Sequence, residues 1–247
     1  MSARHTLLLR LCGPMQSWGH RSRFDDRDTA LEPTRSGVIG LICAAMGLSR
    51  DQDLARFDAL RMGVRVDSPG RPMVDYHTAL DVVKADGSRP PKGEAVQSWR
   101  HYLADACFLV ALECEDLDML REIEDRLACP VWPLYLGRKS FPLTIPPLLP
   151  EGSLREESSL EEALASASIL LLDTRLDKWI RTPDRRLRTL IEPRRTQQGI
   201  PGESAEGEIS QSDRPMNFGK RQFALRRVQS GNVPVEPIPA LTLEDHR

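Results

Sequence analysis

The sequence predicts an α+β fold of the ferredoxin type, with helices laid on one face of a small antiparallel sheet. Three observations lead there. The N-terminal half reads strand, helix, strands, helix. Its connections are long enough for crossovers. The first helix carries Gly37, Gly40, Ala44 and Ala45, small residues that let a helix sit close on strands. With 247 residues, 40% of them hydrophobic, the chain can bury one large core or two small ones.

In chain order, "HTLLLRL" (5–11) is the opening strand and "CGPMQSWGHRSRFDDRDTALEP" a long loop. Glu32-Pro33 closes that loop, Thr34 or Ser36 caps a helix reaching about Leu48, and Gly47 is placed to end it. Ser49 with Gln52 forms a capping box for a second, short helix in "SRDQDLARFDAL". "MGVRVD" and "MVDYHTALDVV" read as strands from their valines and partial alternation, whereas "KADGSRPPKGE" is a turn-rich excursion unable to continue a central strand. "AVQSWRHYLADACFLVALEC" holds one or two strands, and "DLDMLREIEDRLA" is an amphipathic helix stopped by Pro130.

The irregular, proline-laden "VWPLYLGRKSFPLTIPPLLP" leads into the second half. There "SLEEALASA" has a capping box and "SILLLDT" is a buried strand. Residues 196–213, rich in Gly, Ser and Glu, read as a mobile loop, and "RQFALRRVQ" is a last strand before a proline-spaced tail. The expected division is a body over 1–150 and a smaller C-terminal region over 151–247.

A formal net charge of only -2 gives no global field for nucleic acid, but the charge is segregated. Residues 113–126 hold seven acidic and two basic side chains, residues 175–195 eight basic and three acidic, and residues 214–227 five basic and none acidic. Local basic stretches on a neutral chain suit a local phosphate-binding face, since such contacts are made by nearby Arg and Lys. No stretch approaches the ~18 apolar residues of a membrane span, and "MSARHTLLLRL" lacks a secretory pattern, so a cytoplasmic protein without membrane partners is expected. The five cysteines are scattered without a CxxC pair, which predicts buried, reduced thiols and no metal site.

Three loops and one helix end carry the candidate chemistry. "GPMQSWG" sets Gln16, Ser17, Trp18 and Gly19 just after a strand. "YLGRKSFP" sets Tyr135, Gly137, Arg138, Lys139 and Ser140 where bare backbone N–H groups can approach a phosphate. "KGEAVQSWRHYL" combines Lys92, Gln97, Trp99 and Arg100, and aromatics interleaved with Arg and amides suit single-stranded RNA, whose bases stack on rings. Trp18 and Trp99 fit a core position as well as a stacking platform. Thr34, Arg35, Ser36 and Gly37 present a hydroxyl, a guanidinium and N–H groups at the positive end of a helix, an anion site by charge. There is no GxxxxGK[ST] nucleotide-hydrolysing loop.

The run "LRLCGPMQSWG…TRSGVIGLICAAMGLSRD…DYHTAL…QSWRHYLADACFLVALE…PLYLGRKSFPLT…RQFA" resembles the CasD subunits of Cascade, the type I-E CRISPR surveillance complex. The likeness runs from residue 7 to about 228 in the same block order. It implies a ferredoxin- or RRM-like body with an extended thumb, about residues 76–102, and a smaller C-terminal region. It also implies a subunit that grips the 5′ handle of the CRISPR RNA, caps the CasC backbone, touches CasA and meets target DNA only through the complex. No cofactor is implied. Carried over by motif, Gln16 to Gly19, Thr34 to Gly37 and Tyr135 to Ser140 become handle contacts. The loop after Gly19, residues 196–213 and the tail align with no block.

The rival reading is a metal-independent endoribonuclease that processes the repeat RNA. It needs a base, an acid and a cation, for which Tyr76, His77, Lys92, His101 and Tyr102 are available. In type I-E systems the resemblance assigns cutting to a separate subunit, so no catalytic residue is expected. A third reading is an RNA-binding module unconnected with CRISPR, against which the thumb and the "YLGRKSFP" block argue.

Overall fold

The computed structural model describes residues 3–19, 25–83, 87–88, 91, 93–170, 186–194 and 208–234. In chain order these form β1 (His5–Gln16), β2 (Asp26–Arg27), α1 (Arg35–Met46), a 3-10 turn (Ala55–Ala59), β3 (Arg61–Ser68), β4 (Arg71–Leu80) and β5 (Ala95–Cys114). There follow α2 (Leu117–Ala128), β6 (Leu154–Arg155), α3 (Leu160–Ser166), β7 (Arg186–Ile191), β8 (Glu208–Asn217) and β9 (Gln222–Pro234). Among the described residues, nine strands share one mixed but mostly antiparallel sheet in the order β6-β1-β5-β3-β7-β9-β8, with β2 and β4 also paired to β5. No described helix is long and apolar enough to cross a membrane.

β5 has two lives. Its C-terminal half lies between β1, paired from Leu103 to Cys114, and β3, paired from Cys107 to Glu113. Its N-terminal half leaves the body as an arm with β4, paired from Ala95 to Ala104, and with the short β2 beside Trp99 and Arg100; the β4 residues are mostly exposed and those of β5 mostly part-buried. The inner half is apolar on both faces because both are covered, as central strands require. α1 and α2 cover Leu7, Leu9, Leu11, Val64, Phe108 and Val110, whereas α3 covers Leu8, Cys12, Leu109 and Ala111 on the other side. The expectation of helices on one face alone is thus corrected: the short α3 closes the second core.

Local signals explain the helix ends. Thr34 is the N-cap of α1, its hydroxyl accepting from the Gly37 N–H, and Gly47 ends it in the left-handed region at φ 71°. Asp116 caps α2, which buries Met119, Leu120, Ile123 and Leu127. Ser159 and Glu162 complete the capping box of α3. The box expected at Ser49 and Gln52 does not form: the Gln52 N–H donates to the Ser49 carbonyl in a turn, and only the 3-10 turn at Ala55–Ala59 follows.

Two further expectations change. The last residues of the supposed loop 196–213 are strand, since β8 starts at Glu208, and β9 runs past residue 229 into the expected tail. β7 emerges from the basic stretch 175–195, where no strand was foreseen. Of the strand expected over "SILLLDT" (168–174), Ile169 and Leu170 are buried, while residues 171–174, the loop at 196–207 and the tail from 235 lie outside the described residues. Of the cysteines, Cys12, Cys43, Cys107 and Cys114 are buried thiols, Cys43 being pushed up to about 11 by burial, while Cys129 is exposed.

Buried arginines lock the layers. Arg65 is inaccessible to solvent and donates to Asp67 at 2.7 and 2.9 Å. Its remaining N–H groups reach the Leu164, Ala167 and Ser168 carbonyls at the end of α3, satisfying orphan acceptors there. A second network joins α1 to the C-terminal strands. The Arg35 guanidinium donates to both Glu192 oxygens at 3.0 Å and to the Phe57 and Leu60 carbonyls. The backbone N–H of Arg35 donates to Asp213 at 2.8 Å, and Arg226 donates to Asp213 at 2.6 and 2.8 Å and to Glu192 at 3.2 Å.

Two outcomes are expected. Glu192→Gln leaves two buried guanidiniums facing a neutral amide and should lower unfolding free energy by about 3–5 kcal/mol in urea titration; an unchanged midpoint would contradict the network's role. At the start of α3, burial alone would raise the Glu161 pKa, but the Arg61 hydrogen bond and the nearby charges of Arg61 and Arg194 bring it down to about 2. A depressed carboxylate stabilises the fold above its unfolded pKa, about 4.3, and that contribution fades as pH falls towards 2. The melting-temperature gap between the parent and Glu161→Gln should therefore shrink between pH 5 and 2, whereas a constant gap would refute the linkage.

Candidate nucleic-acid interface

Three sequence blocks far apart in the chain meet at one open groove of about 390 Å³, lined by Ser17–Gly19, Thr34, Ser36, Gly37, Gly137 and Arg138, with Arg27, Asp28, Phe218, Arg221 and Phe223 around them. Its floor is built by close packing. Gly137 sits at φ 92°, and a Cβ there would overlap the Ser17 carbonyl oxygen, so only glycine fits. Gly37 lies where a Cβ would come within 2.7 Å of the Trp18 ring. The Ser17 N–H donates to the Leu136 carbonyl at 3.0 Å, and the turn closes on itself through Leu136 N–H to Phe141 and Phe141 N–H to Arg138.

Several predicted contacts are therefore framework. Gln16 is fully buried; its amide donates to the Leu11 and Ala106 carbonyls and accepts from the Trp18 indole at 3.1 Å. Trp18 is 1% exposed, a core residue rather than a stacking platform. Arg35 is 3% exposed and spent on Glu192, so it is no phosphate ligand. The helix end does attract an anion, as its charge predicts, but that anion is the buried Asp213 carboxylate. Thr34 is likewise occupied as the cap, while Ser36 and Gly37 stay half-buried at the groove. Ser17 is buried, with its hydroxyl donating to the His101 carbonyl.

The cations that remain are in the outer layer. Arg138 donates to the Arg27 carbonyl at 2.9 Å and lies 5.6 Å over the Phe141 ring. Burial lowers its pKa, and the positive charge of Arg100 lowers it further, with Arg27 adding to this and Asp75 opposing it. Three guanidiniums, Arg27, Arg100 and Arg138, thus act on one region together with the Asp75 and Asp28 carboxylates. Gly19, Lys139 and Ser140 are exposed beside it and Tyr135 is half-buried. Sequence reasoning missed Arg27, Phe218, Arg221 and Phe223; the "RQFA" block was the available signal for the last two.

The arm divides the remaining candidates between its faces, because directly opposed residues of an antiparallel pair share a face. Tyr76 stands opposite Trp99, with the rings 5.6 Å apart, and His101 and Gln97 lie on that same face. Arg100 stands opposite Asp75 on the other face, with His77 and Tyr102. Trp99 is 45% exposed. Lys92 lies outside the described residues. Each face thus receives one Tyr and one His, but His101 pairs with Asp26 at 3.1 Å and Tyr102 packs on Phe141 at 5.8 Å. His77 and Tyr102 are separated by four strand positions, about 13 Å.

Comparison with known proteins identifies the family. The model of the CRISPR-associated protein (Cas_Cas5) family matches residues 6–229. The CRISPR system Cascade subunit CasD of Escherichia coli (strain K12) is 38% identical over 159 residues, covering 58% of this chain and 69% of its own. A crystal structure of a Cas protein superposes with a TM-score of 0.69 at 39% identity, over 95% of this chain and 97% of its own. A chain of a CRISPR RNA-guided surveillance complex does so with a TM-score of 0.71 at 32% identity, over 93% and 90%. With its family-specific blocks assembled around one groove, the chain belongs to the CRISPR-associated Cas5 protein family.

Proposed function

We propose that this chain is a non-catalytic subunit of a Cascade surveillance complex that grips the 5′ handle of the CRISPR RNA. The observation that carries the reading is the convergence of the three family blocks on one groove lined by Arg27, Arg138 and Arg221, with the charge of Arg100 acting on Arg138. A single strand needs such a surface: cations for its phosphates and glycine turns that let them come close. In this reading Arg138, Lys139, Ser140 and Gly19 touch the handle directly. Gln16, Ser17, Trp18, Thr34 and Gly37 hold the floor on which it lies.

The arm is the thumb of the assembly. Its exposed Trp99 and Gln97 face away from Arg100, which suits a strand passing from the groove over the arm, with Trp99 at the join of handle and guide. The ferredoxin-like reading of the body is supported by β1–α1–β3–β5–α2–β6 with the strand order β6-β1-β5-β3. The CasC backbone and CasA are its protein partners, target DNA is met through the complex, and the setting is cytoplasmic.

Two results test this. Arg138→Ala and Lys139→Ala, folded normally, should each weaken binding of repeat-derived handle RNA and reduce the salt slope of log K by about 0.7. Full affinity with an unchanged slope would remove the groove as the handle site. The protein should also leave repeat RNA intact in EDTA, because among the described residues the Tyr and His candidates for acid and base are not gathered around one phosphate on either face of the arm. A discrete cut that vanishes in His77→Ala or His101→Ala would establish the endoribonuclease instead.

A further inference from the structure

The "RQFA" block, residues 221–224, has no role in the reading above, yet the turn that opens it is tightly built. The Gly219 N–H donates to the Arg50 carbonyl at 3.0 Å, the Asn217 side chain accepts from the Lys220 N–H at 2.8 Å, and the Arg221 N–H donates to Phe218 at 3.3 Å. A Cβ at 219 would overlap the Asp51 carboxylate, so the turn between β8 and β9 is seated against residues 50–51. Within it Arg221 is held at φ 51°, a left-handed conformation that Gly or Asn adopts more easily. An exposed Arg kept in a strained backbone position at the lip of a groove points to use of its side chain.

Phe223 adds a second, independent observation. It is 41% exposed and meets Phe218 edge-on at 6.5 Å, while Phe218 is itself packed towards α1. Phe223 is thus a part-exposed aromatic ring braced by Phe218, beside Arg221 on the groove that also holds Arg138. An apolar π-face flanked by guanidiniums matches an unpaired nucleotide, whose base is flat and whose phosphates are anionic.

We propose that the β8–β9 turn is the second wall of the groove and seats one unpaired nucleotide of the handle RNA, Phe223 stacking on its base and Arg221 pairing with the adjoining phosphate. This deepens the handle-binding reading and rests on it. Stacking accepts any base, so the wall positions the strand and does not read its sequence.

The test measures binding of labelled handle RNA by fluorescence anisotropy over a series of KCl concentrations. Phe223→Ala should weaken binding about five- to 150-fold with the salt slope unchanged, and Phe223→Trp should restore it. Arg221→Gly should reduce the slope by about 0.7, yet melt no lower than the parent because glycine relaxes the backbone there. If both variants bind like the parent while Arg138→Ala is weakened, the second wall is overturned and the groove stands. If the parent itself does not bind handle RNA, the handle reading falls and this inference with it.

Discussion

The backbone hydrogen bonding of β5 constrains everything else. One 20-residue strand serves as the centre of the sheet over its last half and as the outer arm over its first. The change of partner from β3 to β4 and the left-handed Asp105 mark where it leaves the body. Because the strand is continuous, the arm is held in fixed register with the core: Leu103 pairs with β1 while Trp99, four residues earlier, is already exposed. The groove sits beside this exit point, so the geometry of a surface site is inherited from a central strand.

Arginine does two jobs here, separated by burial. Arg35, Arg65 and Arg226 are inside, each saturated by carboxylates and carbonyls, because a buried guanidinium without partners would be too costly to keep. Arg27, Arg100 and Arg138 act on one another near the surface, with Asp75 and Asp28 close by. The inner set closes the fold across long sequence distances, tying α1 to Glu192 and Asp213. The outer set holds a local positive potential that the net charge of -2 conceals.

The family blocks are best understood as a floor. Trp18 fills the space that Gly37 leaves open, and Gly137 lets its turn approach Ser17. Those residues specify a shape, and side chains beside them supply the charge. A motif can therefore be shared for the shape it builds, with most of its members buried.

What the sequence determined by itself was local or periodic. Thr34 and Gly47 bound α1, Ser159 with Glu162 starts α3, and Val-rich runs are strands, because caps, turns and alternation act within a few residues. The family blocks also marked the segments that converge on the groove. Tertiary structure alone decided which arginines were free for a ligand: Arg35 and Arg138 both follow or precede a polar turn, and nothing adjacent in sequence separates them. The difference is made by Glu192, 157 positions from Arg35 along the chain. Helix capping at Ser49 gave way to a local turn from the Gln52 N–H to the Ser49 carbonyl, and β7 was missed because its alternating arginines read as a basic surface until β3 and β9 flanked it. Pairing of strands and charges across such distances depends on burial, and burial exists only once the layers have come together.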